Sequence, residues 1–401
     1  MATTNLTYAP QAPAADLTAA LLISLASLDH ESFETTVANI ALAFPDQDLV
    51  VATPDTSITS SSAGIRIVGY KPTAPSSSTW TLTAADFLNA HELATRHRSS
   101  AILQLGAESQ SLSPTAMRAL ANAVLTEKVD LAVPYYDLPP RAGLVNSAIL
   151  YPMTRALFGA RPRFPLAVDL GLSARAAERC ATAAQRFTAA GQHDALVWPV
   201  SEAAIAGFST AEVEGGQRML PQPAAQDLNS LLAQVAGSLF ADMDAKAPFW
   251  QRARTAQPSR LGPRAVPTPD PISPEEAQPM VDSFRLAFGN LQEIWSLVLP
   301  PQSLFGLKRL SALPAATFVM PDSLWARIVY DFLLAYRLRT INRGHLLGAL
   351  TPLYLAWVAS HLLQTSAGTD PERHVQAVAA AFEADKPYLV SRWRWPDRFN
   401  P

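Results

Sequence analysis

A single cysteine, Cys180, rules out any disulfide within the chain, and none of the 7 histidines joins it in a zinc-site spacing. Cys180 itself is expected to be a small buried hydrophobe. Charge is also scarce. Only 16% of residues are Asp, Glu, Lys or Arg, and their sum of −3 is spread along the chain, so no basic stripe points to nucleic acid. G-x-G-x-x-G, the P-loop, G-x-S-x-G and H-E-x-x-H are all missing. That removes the sequence signals for dinucleotide binding, nucleoside-triphosphate hydrolysis, nucleophile-elbow hydrolysis and zinc peptidase chemistry. Residues 1–16 are rich in Ala, Thr and Pro and lack a basic segment followed by an apolar core. They read as a disordered tail and not a signal peptide, which makes a cytoplasmic location the expectation. Leu346–Thr365 carries no formal charge and approaches the ~20 residues that span a bilayer. Pro352, Ser360, His361 and Gln364 interrupt it. It is read as a buried core helix, and no transmembrane segment is expected.

What is present is a chain of 401 residues, 49% of them apolar, enough for two compact units with substantial cores. In the first half, short β-rich runs alternate with helical patterns. Strands are expected at Ala20–Leu25, Asp48–Thr53, Gly64–Tyr70, Ser100–Leu105 and Val129–Tyr136. Helices are expected at Ser32–Phe44, Ala84–His97 and Pro114–Thr126 between them. That alternation predicts βαβ units and a mostly parallel sheet, with ligands beyond the carboxyl ends of its strands. Asp227 opens an amphipathic helix, and Pro258–Pro274 is too rich in proline to be anything but an extended connection. Helical patterns follow at Ser273–Val298, Ser323–Arg339, Gly344–Gln364 and Pro371–Asp385, two of them with good start signals at Ser273-Pro274-Glu275 and Asp370-Pro371-Glu372. The expected organisation is an α/β domain at 17–250, a proline-rich linker at 251–272 and a helical domain at 273–401.

The most distinctive stretch runs from Asp130 to Ser173, DLAVPYYDLPPRAGLVNSAILYPMTRALFGARPRFPLAVDLGLS. Its Pro134-Tyr135, Arg141, Asn146, Tyr151-Pro152, Arg155–Gly159 and Val168-Asp169-Leu170-Gly171 resemble the central part of GT-A glycosyltransferases. The resemblance is to the family-2-like group that holds the mannosylglycerate and glucosyl-3-phosphoglycerate synthases. Leu324–Tyr336, Leu346–Ser360 and Lys386–Trp393 look like the helical appendage of the same group. The resemblance implies a GT-A fold, Rossmann-like with a mostly parallel sheet and flanking helices. A nucleotide-diphosphate sugar would be the donor, and a small molecule, lipid or polysaccharide the acceptor. The apolar helical domain is itself a candidate homodimer surface, with the oligomeric state left open.

The resemblance implies site chemistry too, much of it altered. An Asp-x-Asp pair would hold Mg²⁺ or Mn²⁺ against the diphosphate. Here the matching place reads Gly106-Ala107-Glu108, so one carboxylate is gone and Glu108 is the remaining candidate metal ligand. Asp169 is the candidate catalytic residue, a carboxylate placed to orient hydroxyls or take a proton. Asp55 would contact the base or ribose, while Arg141 and Asn146 would contact phosphate or acceptor, Arg141 by bidentate hydrogen bonds. A metal-binding histidine expected in Gly215–Gln226 has no counterpart, and an acidic residue expected just before Trp198 falls on Leu196, with only Asp194 nearby. The glycines and lysine of a phosphate loop are missing from Trp80–Leu88. Two readings therefore stand: a sugar transferase with a degenerate metal motif, or a catalytically inactive GT-A relative acting as a binding or regulatory partner. An open cleft at Asp55, Glu108 and Asp169 would favour the first, and a cleft filled by side chains the second.

Overall fold

The computed structural model describes residues 20–45, 47–62, 64–76, 78, 80–221, 228–252, 259–260 and 270–396. The N-terminal tail and most of the proline-rich linker lie outside them. Nine strands form one sheet: β1 (Leu21–Leu25), β2 (Leu49–Thr53), β3 (Thr59–Ser62), β4 (Ile65–Gly69), β5 (Ala101–Leu105), β6 (Leu131–Asp137), β7 (Asp169–Ser173), β8 (Thr210–Gln217) and β9 (Ser259–Arg260). Their order is β3-β4-β2-β1-β5-β7-β6-β8-β9. β3 pairs antiparallel with β4, and β7 antiparallel with both β5 and β6; the remaining pairs are parallel. The α/β architecture with a mostly parallel sheet and a helical C-terminal region is thus the observed one.

The central strands are fully buried runs such as LLISL and LVVAT, as expected of a parallel sheet covered on both faces. One face packs against the His30–Ala43 and Pro114–Leu125 helices through Ile40, Met117 and Leu120. The other face is continuous with the C-terminal helices, and a single apolar cluster runs from Leu22 to Trp393. Trp325 donates its indole N–H to the Ala148 carbonyl at 2.8 Å, and Arg155 meets Glu383 at 2.8 Å. The helical half is therefore joined to the sheet half by a buried hydrogen bond and a partly exposed ion pair as well as by the shared core. The Arg343–Ser366 helix passes a length-and-hydropathy test for a membrane span, yet 78% of its most apolar window is buried inside the protein, so it is the core helix expected.

Local signals placed most elements. Ser113 accepts the Ala116 N–H at 3.1 Å with Pro114 in the first turn, and Ser273 and Glu276 form a capping box. Four departures from the sequence expectation matter. β3 and β8 were not anticipated, because Ser- and Gly-rich segments carry no β-branched alternation. The Ser273–Val298 helix is split at Leu291 (φ −107°, ψ 9°), just after Gly289-Asn290, and a further helix spans Pro301–Ser311. The last helix runs to Arg394, past Asp385 and through Pro387, because burial of Leu389 and Trp393 outweighs the proline penalty. Asp169–Ser173, finally, forms an antiparallel strand where none was expected, and Ser173 caps the helix that follows, accepting the Ala176 N–H at 3.2 Å.

Candidate functional site

Position decides first. Leu105, the last residue of β5, is registered with Asp169, the first of β7. Because β7 runs backwards, its first residue lies at the carboxyl ends of the parallel strands, where sheets of this type bind ligands. The sequence thus brings Asp169 beside Gly106-Ala107-Glu108, as the resemblance implies.

What surrounds Asp169 is not a ligand cleft. Its carboxylate is fully buried, and each oxygen accepts twice. Oδ1 accepts the Gly106 N–H at 3.2 Å and Arg218 Nη2 at 3.2 Å. Oδ2 accepts the Tyr136 hydroxyl at 3.0 Å and Arg218 Nε at 2.8 Å. A carboxylate has about four acceptor directions, and all are taken. Tyr136 in turn accepts the Asp169 backbone N–H at 3.1 Å, which fixes the phenol's proton toward the carboxylate. Burial and the neighbouring carboxylate both push the Tyr136 phenol well above its ordinary pKa, so it stays a donor.

The guanidinium of Arg218 is equally saturated. Besides Asp169, Nη2 donates to the Ala107 carbonyl at 2.7 Å, and Nη1 to the Ser111 hydroxyl, the Met219 carbonyl and the Glu108 carbonyl. Burial by itself would lower the pKa of Arg218, but Asp169, first among its charged neighbours, raises it above the ordinary value. The result is a buried, bidentate ion pair with neither side chain exposed. Arg218 belongs to Gly215–Gln226, the segment where the resemblance implies a metal-binding histidine and the sequence has none. A cation is supplied there, but by the chain itself.

Gly106 explains why the first carboxylate cannot return. A Cβ at this position would lie 2.6 Å from the Val168 carbonyl oxygen, closer than any side chain tolerates. Glu108 sits in the left-handed region (φ 58°) and its Oε2 accepts Gln110 Nε2 at 2.7 Å. Among the described residues no group of three or more His, Cys, Asp or Glu could hold a metal ion. With Asp169 saturated and Gly106 without a side chain, Glu108 is the one carboxylate left there, too few for the oxygen shell of Mg²⁺ or Mn²⁺.

The other candidates disperse. Asp55 is exposed and caps its own turn, accepting the Ser57 N–H at 2.9 Å and hydroxyl at 2.6 Å; those bonds lower its pKa. Arg141 is held by Asp270 at 2.7 Å, with Glu276 at 3.9 Å, and so ties the end of the linker to the loop after β6. Asn146 is buried and donates to the Arg163 carbonyl at 2.8 Å. Leu196 is buried and Asp194 accepts from Ser76 at 3.3 Å. Arg218 and Tyr136 were missed by sequence reasoning, since neither belongs to a motif and Arg218 follows β8, an unanticipated strand separated from Asp169's own by β6.

Among the described residues, neither Asp55, Glu108 nor Asp169 lines any of three cavities of about 600 Å³ or more. One of about 1000 Å³ lies beside Lys246, which is neutralised by Glu202 at 2.8 Å and Asp242 at 2.6 Å. One of about 760 Å³ opens over Arg218 and Met219. The third, of about 600 Å³, lies between the sheet's carboxyl edge and the C-terminal helices, touching Arg141 and Asn146. Cys180 is buried as expected, its thiol pushed up to about 12 by burial and then by Glu202.

No family model and no curated protein matches this chain. Among solved structures it is similar to glucosyl-3-phosphoglycerate synthase from Mycobacterium tuberculosis in complex with phosphoglyceric acid. The identity is 16%, over 56% of this chain and 79% of that one, with a TM-score of 0.34. A likeness this loose fixes neither reaction nor ligand.

Proposed function

We propose that this chain is a catalytically silent protein on a glycosyltransferase-like scaffold, acting by binding a ligand or partner and not by transferring a sugar. The observation that carries this reading is the Asp169–Arg218 pair, at 2.8 Å and fully buried. A carboxylate that orients hydroxyls or accepts a proton needs a free lone pair within reach of substrate, and Asp169 has none. A diphosphate leaving group needs a cation that meets it, whereas the Arg218 charge is spent on Asp169 and four further acceptors. The collision facing any side chain at Gly106 supports the same reading. Metal-dependent transfer from a nucleotide-diphosphate sugar would require Arg218 to leave and both carboxylates to turn outward.

Calorimetric titration of the folded protein with nucleotide diphosphates and nucleotide sugars, each with and without Mn²⁺, tests this. The expected result is no heat of binding in either case. Metal-dependent binding at micromolar strength would overturn it and identify a donor.

A further inference from the structure

The 600 Å³ cavity has a composition that the silent-scaffold reading does not account for. Its walls are apolar: Trp80 and Leu144 on the sheet side, Val168 and Leu220 at the strand ends, Leu231 and Val235 from the Leu228–Ala245 helix. Among the described residues of the lining Arg141 alone is charged, and Asp270 already neutralises it. A diphosphate entering here would find no free cation. Burying it unpaired would cost far more than the apolar contacts return.

A few polar groups nevertheless line the same space. Thr81 is 8% exposed, and its hydroxyl is buried with no hydrogen-bond partner. Tyr354 is 5% exposed, and burial alone acts on its phenol, raising the pKa above the ordinary value. Asn146 commits its amide N–H to the Arg163 carbonyl. A buried hydroxyl left without a partner costs about 1–3 kcal/mol unless something meets it. Cavities of roughly 300–1,000 Å³ with apolar walls and a few convergent polar groups are the usual form of small-molecule sites.

We propose that this cavity binds an uncharged, largely hydrocarbon or aromatic small molecule bearing one hydroxyl or carbonyl group, with Thr81 and Tyr354 as its polar anchors. The site is lined by Val168 and Tyr136, both neighbours of Asp169, but not by Asp169 itself. It rests on the silent-scaffold reading in one respect: with no sugar diphosphate held at Asp169, the adjoining cavity is free for a ligand of different chemistry. The Val168 side chain makes that part of the wall apolar.

The test uses Nile red, an uncharged probe whose fluorescence rises in apolar surroundings, titrated into the full chain. Saturable binding of one probe per chain is expected. Leu231→Trp and Leu144→Trp, each filling the cavity from a different wall, should weaken it by about tenfold or more, the loss expected when bulk occupies a preformed apolar pocket. Ala183→Trp, in the separate 1000 Å³ cavity, should leave it unchanged. Circular dichroism melts show which variants fold, so one filled variant suffices if the other does not. No saturable binding, or binding unaffected by either filled variant, overturns the proposal. Nucleotide-sugar binding in the calorimetric titration would instead overturn the silent reading and leave the Nile red result to stand alone.

Discussion

Replacing Arg218 by methionine keeps most of the side-chain volume and removes the charge. The acceptors it leaves are not equal. The carbonyls of Ala107, Glu108 and Met219 belong to half-buried or exposed residues and can be met by water. Asp169 cannot: it is fully buried and would retain only the Tyr136 hydroxyl and the Gly106 N–H. Breaking a buried pair from one side costs about 3–5 kcal/mol, because it strands an uncompensated charge. That is a large part of the roughly 5–15 kcal/mol by which proteins of this kind are stable. Urea unfolding followed by the fluorescence of the 8 tryptophans gives the midpoint and slope from which the loss is read. Pairing Arg218→Met with Asp169→Leu should then cost much less than the sum of the two single changes, a coupling of several kcal/mol. If Arg218→Met costs under about 1 kcal/mol, the pair behaves like a solvated surface bridge. Asp169 would then be open to ligands, and the silent-site reasoning fails with it.

Two buried titratable groups should tilt stability in opposite directions with pH. His361, stacked on Trp357 and bonded to His374 at 2.7 Å, is lowered from 6.5 to about 3 by burial and then by His374. Its contribution is complete above pH 6.5 and is lost as pH falls toward 3, since only the unfolded chain takes up the proton. Asp331 is raised from 3.8 to about 7 by burial, with Arg392 opposing, so the native state holds its proton and stability falls as pH rises from 3.8 to 7. Asp331→Asn should therefore steepen the acid loss and His361→Phe should expose the opposite slope, both read from urea midpoints across pH. Trp325→Phe removes the indole bond to the Ala148 carbonyl and should cost about 1–3 kcal/mol for the acceptor left buried, measured by the same unfolding curves. Arg141→Ala, by contrast, breaks a half-exposed pair and should cost no more than about 1 kcal/mol. Gly106→Asp should lower the melting temperature without creating Mn²⁺ affinity, because the new Cβ meets the Val168 carbonyl before its carboxylate can reach a metal.

The sheet's parallel core was legible because burial on both faces writes itself as continuous apolar runs, and LLISL, LVVAT and AILQL have no other comfortable place. β8 was not, because TAEVEGGQ holds its place by backbone pairing with β6 and by a bulge at Tyr135/Tyr136, neither of which leaves a side-chain period. The candidate site divides along the same line. Asp169 could be found by pattern, since its position at the head of β7 follows from the order of residues in the chain. Its role could not, because that depends on Arg218, 49 residues away, arriving from a strand beyond β6. Asp55 was expected at the base or ribose, Glu108 at the metal and Arg141 at phosphate or acceptor, and the structure gives each a local partner: Ser57, Gln110 and Asp270. Isolated losses of this kind could leave a weakened enzyme. A guanidinium that, together with the Tyr136 hydroxyl and the Gly106 N–H, fills every acceptor direction of the one well-placed carboxylate is different in kind. It supplies the positive charge that a metal would have brought, but from inside the fold, where it fixes β7 to β8 and has nothing left to offer a leaving group.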